Sequence, residues 1–126
     1  MPIKLFNQTI GLIQKSLDLR AFRHKLLSEN IANSGTPRFQ PKDIPFQKVL
    51  DRSIEGSSQL GLRRTHIGHL PGTSGEALEV EMGSGGVHIE EEMAKLAENN
   101  LMFQTGIQVL SKKFESLKVT ILEGGR

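Results

Sequence analysis

From Ile89 to Ile121, apolar residues recur at alternating intervals of four and three. The series runs Ile89, Met93, Leu96, Phe103, Ile107, Leu110, Phe114, Leu117 and Ile121, with Asn100 its single polar member. The opposite terminus carries a matching series of Ile3, Phe6, Ile10, Ile13, Leu17, Arg20, His24, Leu27 and Ile31. This spacing belongs to a helix that buries a narrow stripe against another helix. One chain with such a helix at each end must turn back to pair them, so an antiparallel hairpin is expected.

Facing a and d positions across that hairpin sets Ile3 against Leu117, Phe6 against Phe114, Ile10 against Leu110, Ile13 against Ile107 and Leu17 against Phe103. The same register brings Arg20 to Asn100, a polar layer that fixes alignment at some cost in stability. Three segments follow: a core helix in 1–33, an extended or irregular passage in 34–87, and a second core helix in 88–126. Four of the five prolines and nine of the thirteen glycines fall in the middle segment. The expected fold is mainly α, with two long terminal helices in a coiled-coil-like hairpin and an irregular Gly/Pro-rich middle that has room for a short β-strand.

Local signals agree with this division. Pro2 suits a first helical turn, and Gly124-Gly125 suits a stop. Glu90, Glu91 and Glu92 open the second helix while Lys112, Lys113 and Lys118 lie toward its end, as the helix dipole favours. Glu91 and Lys95 stand at i,i+4. Gly11 and Gly106 each cost about 1 kcal/mol relative to alanine inside a helix.

The first helix has a second stripe, Leu5, Leu12, Leu19 and Leu26, on another face. One partner helix cannot cover two faces. Either the middle segment folds back over these leucines or neighbouring subunits cover them. In the middle, the prolines of Ser34–Phe46 favour extended chain, with Phe39 and Phe46 as anchors. A short helix is expected over Phe46–Ser53 and an edge strand over Leu78–Met82, which alternates. Gly68–Ala77 is expected to order only on assembly.

A net charge of +2 with mixed signs argues against nucleic acid. No cysteine is present, so disulfides and thiolate sites are excluded. No run reaches the length of a membrane span, and no cleavable secretion signal is expected at the N-terminus. His66 and His69 form an H-x-x-H pair with His88 downstream, but they lack the companions that a zinc site needs. No nucleophile elbow or phosphate loop occurs. Neither an enzyme activity, nor a cofactor, nor a small-molecule substrate is expected.

The passage Glu29-Asn30-Ile31-Ala32-Asn33-Ser34-Gly35-Thr36-Pro37-Arg38-Phe39 resembles the N-terminal signature of bacterial flagellar axial proteins. Lys42–Phe46, Arg64–Leu70, Glu91–Asn99 and Leu110–Phe114 are similar to passages of the proximal rod family of the flagellar basal body. That family usually has glycine where Arg38 stands, so a differently shaped turn is expected after Pro37. The resemblance implies a structural rod subunit that polymerises through its terminal helices, part of a torque-transmitting shaft across the periplasm. It implies export by the flagellar type III apparatus without a cleaved signal. The implied partners are other copies of the chain, other rod proteins and the rod-base protein that joins the membrane ring. Phe6 to Ile10 is similar to the export-gate motif of such subunits. The residues expected to carry assembly and packing are the seam positions, the Leu5–Leu26 stripe, and Asn30, Asn33, Thr36, Pro37 and Phe39. A soluble coiled-coil adaptor or export chaperone is the rival reading.

Overall fold

The computed structural model describes the backbone of residues 2–55 and 80–124 and the side chains of residues 8–52 and 80–124. Within these, helix α1 spans Pro2–Ala32, strand β1 Lys42–Asp43, helix α2 Phe46–Glu55, strand β2 Glu81–Met82 and helix α3 Ile89–Glu123. The terminal helices have 31 and 35 residues, so they are roughly 45–55 Å long. They pack against each other antiparallel: Asn30 meets Glu92, Arg20 meets Asn99 and Leu17 meets Gly106. The two-helix hairpin, the short helix at Phe46 and a strand ending at Met82 follow the sequence pattern. The expected segment Gly68–Ala77, the H-x-x-H pair at His66 and His69, and the side chains of Ile3, Leu5 and Phe6 lie outside the described residues.

The seam itself differs from the expected one. Leu96, Phe103, Leu110 and Leu117 turn at least partly inward, as expected. Their seam partners are not Met93, Asn100 and Ile107 but the residues one position earlier. Glu92 and Asn99 are buried, and Gly106 is half-buried. Met93, Ile107, Phe114 and Ile121 stand 57%, 46%, 52% and 71% exposed, which puts them on an outer ridge. The physical reason is close approach. A Cβ at Gly106 would come within 2.8 Å of a Leu17 methyl, so a larger residue there would have to push the Leu17 side chain aside. The polar layer is accordingly corrected: Asn100 is exposed, and Asn99 donates from Nδ2 to the Arg20 carbonyl at 2.9 Å.

A small core lies on the other side of α1. Leu19, Leu26, Ile44 and Val49 are buried together, with Phe22 and Phe46 packed on them. For Leu19 and Leu26 the cover is thus the middle segment of the same chain, not a neighbouring subunit; Leu12 is half-buried. Helix α2 is strongly one-sided, as a helix lying on a surface must be. The Arg20 guanidinium stacks over the Phe46 ring, 4.1 Å from its centre.

Between α1 and β1 the chain turns through a series of backbone bonds, Thr36 to Asn33 and Phe39 to Thr36. Arg38 sits at φ 62, the left-handed conformation that glycine adopts freely. The turn after Pro37 therefore uses a backbone that glycine adopts freely, and the Arg38 side chain carries the strain. Strands β1 and β2 pair antiparallel, Lys42 with Met82 and Asp43 with Glu81, and Gly83 donates to the Pro41 carbonyl at 2.8 Å. This pairing returns the chain to the foot of α3.

Replacing Arg38 with glycine relieves the left-handed strain and is expected to raise stability by about 0.5–1 kcal/mol. Urea denaturation of the two proteins checks this; an unchanged or lower midpoint contradicts it.

Candidate functional site: a three-way polar junction and an outer apolar ridge

Asn30 ends the buried run of α1 and is fully buried. Its Nδ2 donates to the Lys42 carbonyl at 2.8 Å and to Glu92 Oε2 at 2.7 Å. Its Oδ1 accepts from the Lys42 N–H at 2.9 Å. One carboxamide thus pairs both main-chain groups of a strand residue and holds a carboxylate from α3. Only an amide side chain offers two donors and an acceptor in this planar arrangement. Glu92 is 4% exposed, and its other oxygen accepts from Lys95 Nζ at 2.9 Å. Lys95 also reaches Glu91 at 2.9 Å, the i,i+4 pair visible in the sequence.

A second tie lies two turns earlier on α1. Arg23 grips Asp43 with two bonds, Nε to Oδ1 at 2.7 Å and Nη2 to Oδ2 at 2.8 Å. The Ile44 N–H also donates to Oδ1 at 2.8 Å. Burial alone would raise the Asp43 pKa, but the Arg23 bonds and the Ile44 N–H outweigh it and hold the carboxyl below its usual range. Arg23 is correspondingly raised, first by its bonds to Asp43.

Asn33 bonds the Glu29 carbonyl from Nδ2 at 2.7 Å and closes the end of α1. Phe39 is half-buried, while Thr36 and Pro37 are exposed in the turn. Of the residues singled out in the sequence, the structure brings Asn30 and Asn33 together with the turn they precede. It leaves Met93, Ile107 and Phe114 on the outer ridge and Ile10 and Leu12 half-buried on α1.

Glu92, Asn99, Arg23 and Asp43 were not found by sequence reading. Glu92 passed as a helix-dipole acid. A signal for the first two exists, because Glu92, Asn99 and Gly106 recur every seven residues, and a glycine inside a long helix often marks close approach. The Arg23–Asp43 pair has no local signature.

Among the described residues no group of histidine, aspartate and glutamate side chains is placed to hold a metal, and no helix is long and apolar enough to cross a membrane. The described geometry is a latched helical hairpin with a row of apolar residues, Met93, Ile107, Phe114 and Ile121, among those left exposed on α3.

No family model matches the chain. Comparison with individual curated proteins is informative. The flagellar basal body rod protein FlgB of Bacillus subtilis is 30% identical over 98% of this chain and 100% of its own length. The protein of that name from Salmonella typhimurium is 30% identical over 89% of this chain and 91% of its own. That of Escherichia coli K12 is 29% identical over the same shares, 89% and 91%. This chain belongs to the FlgB family of flagellar basal body rod proteins.

Two outcomes are expected from the junction. Asn30→Ala leaves one buried oxygen of Glu92 and both main-chain groups of Lys42 without their partner, and should cost about 3 kcal/mol. Asn33→Ala should cost about 1 kcal/mol, because only a half-buried helix-end bond is lost. Equal costs in chemical denaturation would contradict the central place of Asn30. The Arg23–Asp43 contribution, about 1 kcal/mol for a partly exposed bidentate pair, has a defined pH range. Because the folded pKa of Asp43 is lowered, its contribution is complete above the unfolded value of about 3.9 and disappears as pH falls through the folded value. Asp43→Asn should therefore be less stable than the parent at pH 7, with the gap closing below about pH 4. A gap independent of pH contradicts the pair.

Proposed function

We propose that this chain is a structural subunit of the proximal rod of the flagellar basal body, polymerising through its terminal helices into part of the torque-transmitting shaft. The observation that carries this reading is the outer ridge of α3. Met93, Ile107, Phe114 and Ile121 recur at heptad spacing and remain exposed after α1 has been packed. A helix with a second apolar seam beside its first is built for a further helix. Covering four such half-exposed side chains contributes roughly 4 kcal/mol gross per subunit, and repetition along a shaft multiplies that gain.

The names of the relatives support the rod assignment. By the same reading, the partners are other copies of the chain, other rod proteins, and the rod-base protein that joins the membrane ring. The subunit reaches the periplasm through the flagellar type III export apparatus. Its role is mechanical, with no catalytic step. A soluble adaptor or chaperone would also be helical, but nothing in the described structure favours it over a rod component.

Ile107→Asp together with Phe114→Asp tests the reading. Both residues are exposed in the hairpin, so the free protein should keep its helix content and melting temperature. Cells that carry the double variant should lose flagella. Normal rods and motility would contradict assembly through this ridge.

A further inference from the structure

We propose that α3 is a two-frame helix: it packs on α1 through Glu92, Asn99 and Gly106 in the free chain, and turns about its axis to present Met93, Asn100 and Ile107 to α1 when the subunit assembles. The assembly half of this proposal rests on the rod reading above; the existence of two frames does not.

Two heptad series overlap on one helix and share Leu96, Phe103 and Leu110. The series in use is the poorer of the two. It contains a buried carboxylate, a buried carboxamide and a glycine, whereas the series one residue later contains Met93, Ile107 and Phe114. Because the two seams have one row in common, exchanging them takes a rotation of only about 50°, half the angle between successive helical residues. The inner frame also holds an unmet cost. Asn99 is 1% exposed, and its Oδ1 has no hydrogen-bond partner. A buried acceptor left in that state is destabilising, and a turn that brings position 100 inward releases it.

What retains the inner frame is the junction at the foot of α3. Asn30 holds Glu92 Oε2, and Asn99 holds the Arg20 carbonyl. These are few, directional contacts at one side of the helix, set against an apolar row that no described residue covers. An interface with two discrete packings of similar energy responds to small biases by switching as a unit. A neighbouring subunit that fills the cleft beside Arg20, His24 and Asn100, a space of about 300 Å³, would supply such a bias.

The absence of cysteine in the sequence makes disulfide trapping clean. Leu17→Cys with Gly106→Cys reports the inner frame; Leu17→Cys removes the methyl group that a Cβ at 106 would meet. Leu17→Cys with Ile107→Cys reports the turned frame. Each pair is oxidised in the free, full-length protein with oxidised glutathione, which takes the two electrons and leaves as reduced glutathione. The 17–106 pair should close faster by about tenfold or more. Asn100→Leu, an exposed change that completes the outer row, should shift closure toward 17–107 several-fold. Asn99→Leu, which improves the inner row, should shift it the other way. A ratio that ignores both substitutions overturns the two-frame proposal.

In basal bodies isolated from cells expressing each pair, 17–107 closure is expected. Retention of 17–106 closure alone overturns the assembly half. Loss of both variants and the parent chain from basal bodies counts against the rod reading, and leaves the free-protein result to decide the frames.

Discussion

A single buried carboxamide holds the described structure together. Asn30 satisfies both main-chain groups of Lys42 and one oxygen of Glu92, so the end of α1, the start of the middle segment and the foot of α3 are positioned by one side chain. The alternatives are costly, because each of those three groups is removed from water and a buried polar group without a partner costs about 1–3 kcal/mol. The rest follows from this anchor. With β1 held at Lys42, Asp43 reaches Arg23 and Ile44 drops onto Leu19 and Leu26. With Glu92 held, the seven-residue interval of α3 carries Asn99 and Gly106 to the same face.

That placement explains why the α1–α3 seam is so modest in apolar content. Gly106 lets the helices approach, and Asn99 and Glu92 fix alignment, in the way that polar seam residues set register at the expense of stability. Met93, Ile107, Phe114 and Ile121, among the apolar residues left exposed, form the outer ridge. For a chain that belongs to a family of rod proteins, a weakly committed hairpin with a strong free face is a sensible design. On the assembly proposed above, it keeps the apolar surface of α3 for neighbouring subunits.

Much of this was legible in the sequence, and the failures have one cause. Period alone placed both terminal helices, and proline and glycine placed the irregular segment between them. Phe46 and the alternation ending at Met82 marked the short elements there. The motif around Asn30 located the junction residue, although its partners could not be read. The seam was misplaced by one residue because heptad reading assumes that the largest apolar residues face the nearest helix. On the assembly proposed above, the largest apolar residues are kept for further helices, and that assumption has no force. Asn100 was chosen over Asn99 for the same reason, and Leu19 and Leu26 needed the position of α2 before their cover was known.

The central claim is that the Met93–Ile121 ridge is a second seam awaiting another helix. A density map of the intact basal body at side-chain resolution tests it most directly. The account requires Ile107 and Phe114 of each rod subunit to be enclosed by apolar side chains, those of its own α1 in the turned frame or those of an adjoining subunit. If those residues face water along the length of the rod, the account is contradicted.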